Sequence, residues 1–152
     1  MRNIEQRLGK LYTYIEDAHK KNSSVSSANV GWHIEHSLLV INKMITALIH
    51  SDPTQYKWKF NLSRAIVFTI NRLPRGKGKA PDTVIPNHTG EIDFDDLFTK
   101  TREKIETFKN ANPNNFYEHT IFGVLNKKNT LAVMDIHTNH HINIIKDILS
   151  TN

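Results

Sequence analysis

Apolar positions in this chain recur at intervals of three and four residues over four long segments, a pattern that predicts four amphipathic helices. The segments span residues 1–21, 30–50, 94–110 and 127–150. In the second segment Ile34, Leu38, Ile41, Ile45 and Leu48 alternate by four and three, as in a packed bundle. We therefore expect one all-α domain over residues 1–152, a four-helix bundle with little or no sheet.

The segments between these helices predict loops and one short element. Residues 22–29 are rich in Ser and Asn, and Ser26 or Ser27 is expected to cap the helix that follows. Residues 62–72 predict a short helix, with a strand as the alternative because the run is β-branched. Residues 73–93 predict a long irregular connection, and residues 116–125 a short apolar one into the last helix.

The last helix carries histidines within its apolar stripe. The stripe consists of Leu131, Met134, Ile145, Ile148 and Leu149, with Val133 and Ile144 at its margin. His137 and His141 project from its middle, one helical turn apart, and His140 is expected nearer the surface. No acidic residue shares the stripe, so a metal ion is the partner that we expect for both buried imidazoles.

A stable metal site requires a third ligand, and the second helix offers two candidates. His33 and His36 lie one turn apart beside the buried band of that helix. Helical periodicity alone does not choose between them. The remaining histidines, His19, His50 and His88, are expected at the surface or in loops.

Composition removes several classes of protein. The chain has 152 residues and no cysteine, which excludes disulfides, cysteine-ligated zinc and thiol nucleophiles. No apolar run approaches the roughly 20 residues that span a bilayer. The N-terminal segment lacks the apolar region of a signal peptide, so we expect a cytoplasmic protein.

The net charge of +5 raises the question of an anionic partner. Basic residues are scattered along the chain, apart from the segment Arg75-Gly76-Lys77-Gly78-Lys79. This segment lacks the spacing of a phosphate-binding P-loop, which leaves a solvated connection or an anion-binding loop. We expect Arg75, Lys77 and Lys79 at the surface, flanking the mouth of a pocket that takes an anionic substrate.

Three motifs taken together carry a family resemblance. They are Gly31-Trp32-x-Ile34-x-His36-Ser37-Leu38, His119-x-x-Phe122-Gly123-x-Leu125 and Ile136-His137-x-x-x-His141. In this order, over residues 25–149, the chain resembles the DinB/YfiT-like superfamily of metalloenzymes. Within it, the chain is most similar to an uncharacterised bacterial branch with an HPFFG-type segment before the last helix. Thr120 stands where those relatives have proline, which bears on the rigidity of that loop.

The resemblance implies a four-helix bundle with a three-histidine metal site. Matched residue by residue, the ligands are His36, His137 and His141. We also expect His33, His119, Trp32 and Phe122 around the ligands or in the pocket wall. For His119 the alternative is a loop histidine bonded to the backbone, and for Trp32 and Phe122 it is a place in the core.

Three neutral imidazoles leave a divalent ion its full charge and an open position, which is typical of catalytic sites. Nitrogen ligation favours zinc or nickel over iron or manganese. No glutamate lies between His137 and His141, so an HExxH protease is not expected. The resemblance implies a metal-dependent enzyme of the thiol-dependent transferase or isomerase kind that activates a low-molecular-weight thiol, and a hydrolase belongs to the same expectation.

Two other functions and a dimeric assembly are also compatible with the sequence. The chain could be a metal-bearing bundle that acts in stress response without turnover. It could also be a basic nucleic-acid-binding protein that uses the segment at 75–79. The short helix has more apolar side chains than it needs to dock on the rest of the chain, namely Ile66, Val67, Phe68 and Ile70. This excess predicts a homodimer.

Overall fold

The computed structural model describes residues 2–76, 84–86 and 92–150. Within these ranges the elements are α1 (Arg2–Tyr12), α2 (Val30–Ile49), α3 (Leu62–Ile70), α4 (Phe94–Asn110), β1 (Phe116–His119), β2 (Gly123–Asn126) and α5 (Lys127–Ser150). Short 3-10 turns follow α1 and α2, at Ile15–Asp17 and Pro53–Gln55. The predicted mostly helical architecture is confirmed at this level, and a two-stranded hairpin is added to it.

The long helices share one hydrophobic core in which α2 is central. Helix α2 packs against both α4 and α5, and α1 packs against α5. The largest fully buried side chains are Ile4, Leu11, Ile34, Leu38, Ile41, Ile45, Leu48, Phe98, Ile105, Phe108, Leu125 and Met134. All five residues of the predicted α2 stripe are among them, and each such burial contributes roughly 1.5–3 kcal/mol relative to exposure. None of the helices in the described ranges combines the length and apolar character needed to cross a membrane.

Helix α1 ends at Tyr12, although its apolar pattern predicts a helix to residue 21. The residues that follow leave the helix and bring two backbone carbonyls to the start of α2. Val30 and Gly31 donate their N–H groups to the carbonyls of Lys20 and Ala18, at 2.9 and 2.8 Å. These bonds satisfy donors that the first turn of a helix leaves free.

Asn29, rather than Ser26 or Ser27, is the N-cap of α2. Its side chain accepts from the Trp32 N–H at 2.8 Å. The adjacent Gly31 lies so close to the Ala18 carbonyl that a Cβ there would come within 3.1 Å of it. The Gly-Trp pair of the first motif is therefore fixed by this close approach of two backbone segments.

Helix α3 confirms the helical interpretation of the β-branched segment, and it ends two residues earlier than predicted. Asn61 caps its start by accepting from the Arg64 N–H at 2.8 Å. Asn71 ends it with a left-handed φ of 52°, a common way to stop a helix. Helix α4 matches its predicted bounds, and Asp93 caps it by accepting from the Asp96 N–H at 2.9 Å.

The hairpin of β1 and β2 lies where the sequence predicts a short apolar connection, at residues 116–125. The strands are antiparallel, with Phe116 opposite Asn126 and His119 opposite Gly123. Gly123 has a φ of +64°, a conformation that favours glycine and allows the tight return of the chain. Four-residue strands are too short to leave a clear alternating pattern in the sequence, which explains why the pattern did not predict them.

Helix α5 buries a wider face than the predicted stripe. Met134, Ile145 and Ile148 are buried as predicted, while Leu131 and Leu149 are only half-buried. Val133, Ile136, Ile142 and Ile144 are buried in addition. Helix α5 packs against both α1 and α2, so more of its surface is covered than one stripe.

Candidate metal centre

His36 is held rigidly on α2 by contacts on its Nδ1 edge and on one ring face. Its Nδ1 lies 2.7 Å from the carbonyl oxygen of Val84. A carbonyl can only accept, so Nδ1 carries the proton and donates, and Nε2 is left with a lone pair. The indole of Trp32 stacks on the ring, with 4.7 Å between centroids and 12° between planes. The ring is thus fixed in tautomer and orientation.

His137 and His141 meet His36 from α5. The ring centroids of His137 and His141 are 4.6 Å apart. The ring centroid of His36 lies 5.2 Å from that of His137 and 4.8 Å from that of His141. One ring nitrogen from each residue can be chosen so that all three nitrogens lie within 4.8 Å of one another. Within the ranges that the structure describes, this is the one group of three or more potential metal-ligating side chains that converges in this way.

The surroundings of the triad fit a divalent ion. The Nδ1 of His137 is buried and has no hydrogen-bond partner among the described residues. A buried imidazole nitrogen without a partner lowers the stability of the fold by on the order of 1–3 kcal/mol. The three nitrogen donors suit zinc or a neighbouring late transition metal.

All three imidazoles are prepared for metal binding because they are neutral. Burial, with a smaller contribution from the nearby His36, lowers the pKa of His137 to about 3. Burial likewise lowers the pKa of His141 well below the ordinary value. For His36 burial also lowers the pKa, although the hydrogen bond to Val84 opposes this. At neutral pH no proton has to leave these rings before an ion binds.

His33 touches the triad through His141 and is not a member of it. The two Nδ1 atoms are 2.9 Å apart, and the Nε2 of His33 lies 3.0 Å from the Ser26 hydroxyl. His33 is buried, and this burial, with a smaller contribution from the nearby His36, lowers its pKa to about 4. The structure thus groups His36 with the α5 pair and places His33 behind one of its members.

His140 and Arg75 border the site. His140 is half-buried rather than on the surface, and its ring stands edge-on to His141 at 5.1 Å. Arg75 is exposed and its guanidinium forms an ion pair with Asp147 of α5 at 2.7 Å. Burial lowers the pKa of His140, and the positive charge of Arg75 adds to that effect. Lys77, Lys79 and His88 lie outside the described residues, while His19 and His50 are exposed as predicted.

The other predicted pocket residues lie on the hairpin side. His119 accepts at Nδ1 from the backbone N–H groups of Ile121 and Phe122, at 3.1 and 3.3 Å. Its ring packs on Phe122, which is 4% exposed and belongs to the hydrophobic core. Both residues therefore stabilise the turn, while Trp32 is the predicted wall residue that contacts a triad histidine.

Two groups that the sequence did not indicate support the site. Val84 contributes a backbone carbonyl, which no side-chain pattern reports. Ser26 was predicted only as a helix cap, yet its hydroxyl faces His33. A surface cavity of about 340 Å³ between α1, α3 and α5 is lined by none of the triad histidines.

Comparisons with protein-family models, with curated proteins and with solved structures yield no match to this chain. The site is therefore interpreted from its own geometry, together with the motifs in the sequence.

Proposed function

We propose that this protein is a DinB/YfiT-like metalloenzyme that holds one divalent ion with His36, His137 and His141. The observation that carries the proposal is the convergence of three neutral imidazoles from two helices within 4.8 Å. The unpartnered Nδ1 of His137 supports the proposal, because a bound ion would give this buried nitrogen a partner where no acidic side chain does. Zinc and nickel are the ions we favour.

When bound, the ion would lower the pKa of a coordinated water or thiol and polarise a carbonyl group. The chain's own residues determine what approaches it. The Val84 carbonyl fixes the direction of the His36 ring, and the Trp32 indole covers one face of that ring. Arg75 places a positive charge beside His140 at the border of the site, which favours a substrate that carries negative charge.

The reaction class that we favour is a thiol-dependent transfer, with hydrolysis as the second choice. Neutral ligands leave the ion its full charge, and this stabilises an anionic thiolate more strongly than a site that contains a carboxylate. A bundle that binds metal in stress response without turnover is the alternative. Nucleic-acid binding ranks last, because the basic residues are scattered along the chain rather than gathered on one element.

The metal content of the purified protein tests the site. We expect about one zinc or nickel ion per chain in the wild type and little metal in His36→Ala, His137→Ala and His141→Ala. The matched control is His50→Ala, which removes an exposed histidine from the C-terminal end of α2. Equal metal in the wild type and the triad variants refutes the site.

A thiol titration separates the enzyme from the closed binding site. In the cobalt-substituted protein, a low-molecular-weight thiol that reaches the ion adds a sulfur-to-cobalt absorption band. A spectrum that no thiol changes favours the non-enzymatic alternative. Binding to nucleic acid that falls steeply with salt and survives His137→Ala supports the third hypothesis instead.

We also propose a homodimer that forms through α3. Leu62, Ile66 and Ile70 are 64%, 51% and 54% exposed and lie four residues apart on one face of the helix. Val67 is buried and Phe68 packs against the core, so these two members of the predicted set dock the helix instead. A contiguous apolar face of this kind is typical of an interaction site.

A further inference from the structure

A chain of three polar side chains leads from the loop before α2 to the candidate metal centre. The Ser26 hydroxyl lies 3.0 Å from Nε2 of His33, and Nδ1 of His33 lies 2.9 Å from Nδ1 of His141. Ser26 is half-buried, and both histidines are buried. The contacts join residues 108 positions apart in the sequence, so the fold places them together.

The contact between the two Nδ1 atoms restricts where the protons lie. Two imidazole nitrogens 2.9 Å apart need one proton between them, and a neutral imidazole carries one N–H and one lone pair. A hydrogen bond between the two nitrogens requires that one ring donates and the other accepts. If His33 donates, His141 must carry its proton on Nε2, which then cannot bind an ion. If His141 donates, its Nε2 is free.

His36 shows which arrangement suits the site. The carbonyl of Val84 forces the proton of His36 onto Nδ1, and this leaves Nε2 as the free nitrogen. The partner of His141 is an imidazole, which can either donate or accept, so its own second contact matters. Ser26 already accepts from the Ala28 N–H at 3.1 Å, which orients the hydroxyl oxygen, and a second lone pair remains for the His33 N–H.

We propose that His33 is a positioning residue that accepts a hydrogen bond from Nδ1 of His141 and so directs the Nε2 lone pair of His141 toward His36 and His137. Ser26 supports this by accepting from Nε2 of His33. The effect of His33 on metal binding rests on the proposed metal site. The positions of the protons on His33 and His141 do not depend on an ion. Metal-binding histidines commonly have their second nitrogen held by a carbonyl or carboxylate. Here one ligand uses a backbone carbonyl and the other a neutral imidazole, so neither support reduces the positive charge of the site.

Two substitutions at one position separate the hydrogen bond from simple packing. His33→Asn places a carbonyl oxygen close to the position of the lost Nδ1, so it can still accept from His141. His33→Leu fills similar space and accepts nothing. Ser26→Ala removes the outer contact and leaves His33 in place, and it provides a milder variant if His33→Leu fails to fold.

The first measurement uses metal-free protein labelled with ¹⁵N in its histidine rings, in which ring nitrogen shifts identify the protonated nitrogen. We expect His141 to carry its proton on Nδ1 in the wild type and in His33→Asn, and to shift toward Nε2 in His33→Leu. A His141 ring protonated on Nε2 in the wild type overturns the proposal. His141→Ala supplies the assignment of the signals.

The second measurement is the zinc dissociation constant, obtained by competition with a chelator. We expect His33→Leu to weaken binding about 10–100-fold, His33→Asn to stay within a few-fold of the wild type, and Ser26→Ala to fall between them. Equal affinity in His33→Leu and the wild type rejects the positioning role. If no variant, including the wild type, binds zinc or nickel while the Nδ1 proton is found on His141, the proposed function fails and the hydrogen-bond assignment stands.

Discussion

The imidazole of His36 lies flat against the indole of Trp32, with 4.7 Å between centroids and 12° between the ring planes. Because a triad ring stacks on this indole, Trp32 should report metal binding. Trp58 is 65% exposed and would mask the signal, so the experiment uses the Trp58→Phe background. We expect Ni²⁺ or Cu²⁺ to quench Trp32 emission and the quenching to level off at about one ion per chain.

The control for this titration is His36→Ala in the same background, where quenching should become weak and proportional to the metal concentration. Zn²⁺, which has a filled d shell, should compete with the quenching ion and restore emission. Quenching that does not saturate, and that is equal in both proteins, argues against an ion beside Trp32.

The turn of the hairpin should weaken in acid through His119. Its Nδ1 accepts from the Ile121 and Phe122 N–H groups, which only an unprotonated nitrogen can do. Burial between the Tyr117 and Phe122 rings lowers its pKa from the ordinary 6.5. The stabilisation is therefore complete above pH 6.5 and is lost as the pH falls through the lower folded-state pKa. Amide hydrogen exchange at Ile121 and Phe122, measured over this pH range, detects the loss.

His119→Asn is the matched control, because an Asn side chain accepts from nearby backbone N–H groups in turns without titrating. Its turn should keep the same protection across the pH range. If wild type and His119→Asn show the same pH profile for these two amides, His119 does not control the turn.

Arg64 should be among the most costly residues to replace outside the candidate site. Its guanidinium is buried and donates to the backbone carbonyls of Lys59, Phe122 and Val124. Arg64→Met keeps the apolar stem and leaves these carbonyls without a donor, so we expect a loss of about 2–4 kcal/mol in the free energy of unfolding. Urea denaturation measures it, with Arg72→Met, an exposed arginine beyond α3, as the control. A loss under about 0.5 kcal/mol for Arg64→Met contradicts the anchoring role.

Part of the fold and of the site follows from local pattern. The four-and-three spacing of α2 predicts an apolar stripe, and all five of its members are fully buried. The prediction succeeds because a single face of this helix packs against a single core. The early end of α1 was not predictable in the same way. It depends on carbonyls of Ala18 and Lys20 that satisfy donors of α2, and backbone groups leave no trace in side-chain periodicity.

The candidate site shows the same division. The one-turn spacing of His137 and His141 indicates a shared ligand, but the choice of His36 over His33 came from the family resemblance. His33 and His36 lie beside the same buried band of α2, and they differ in their contacts with residues distant in sequence. Val84 is 48 residues from His36, and His141 is 108 residues from His33. Contacts at that separation depend on how the helices pack.

Self-association should require the exposed face of α3. Trp58 and Phe60, which immediately precede the helix, are also exposed, at 65% and 67%. Asn61 ties the hairpin turn to the same region by donating to the Ile121 carbonyl at 3.1 Å, and Ile121 is itself 52% exposed. Exposed apolar side chains gathered in one region of the surface are typical of an interaction site.

Sedimentation equilibrium tests this assembly against the 17.5 kDa mass of one chain. We expect a species of twice that mass in the wild type and a single chain in Ile66→Glu/Ile70→Glu, because a symmetric interface would bring the introduced charges together. Both positions are more than half exposed, so the substitutions should leave the folded monomer intact, as circular dichroism can verify. Gln6→Glu, at an exposed position of α1, introduces one such charge away from α3 and should remain dimeric. A wild type that sediments as 17.5 kDa at high concentration rules out the dimer, and a dimer that survives the double substitution places the interface on another surface.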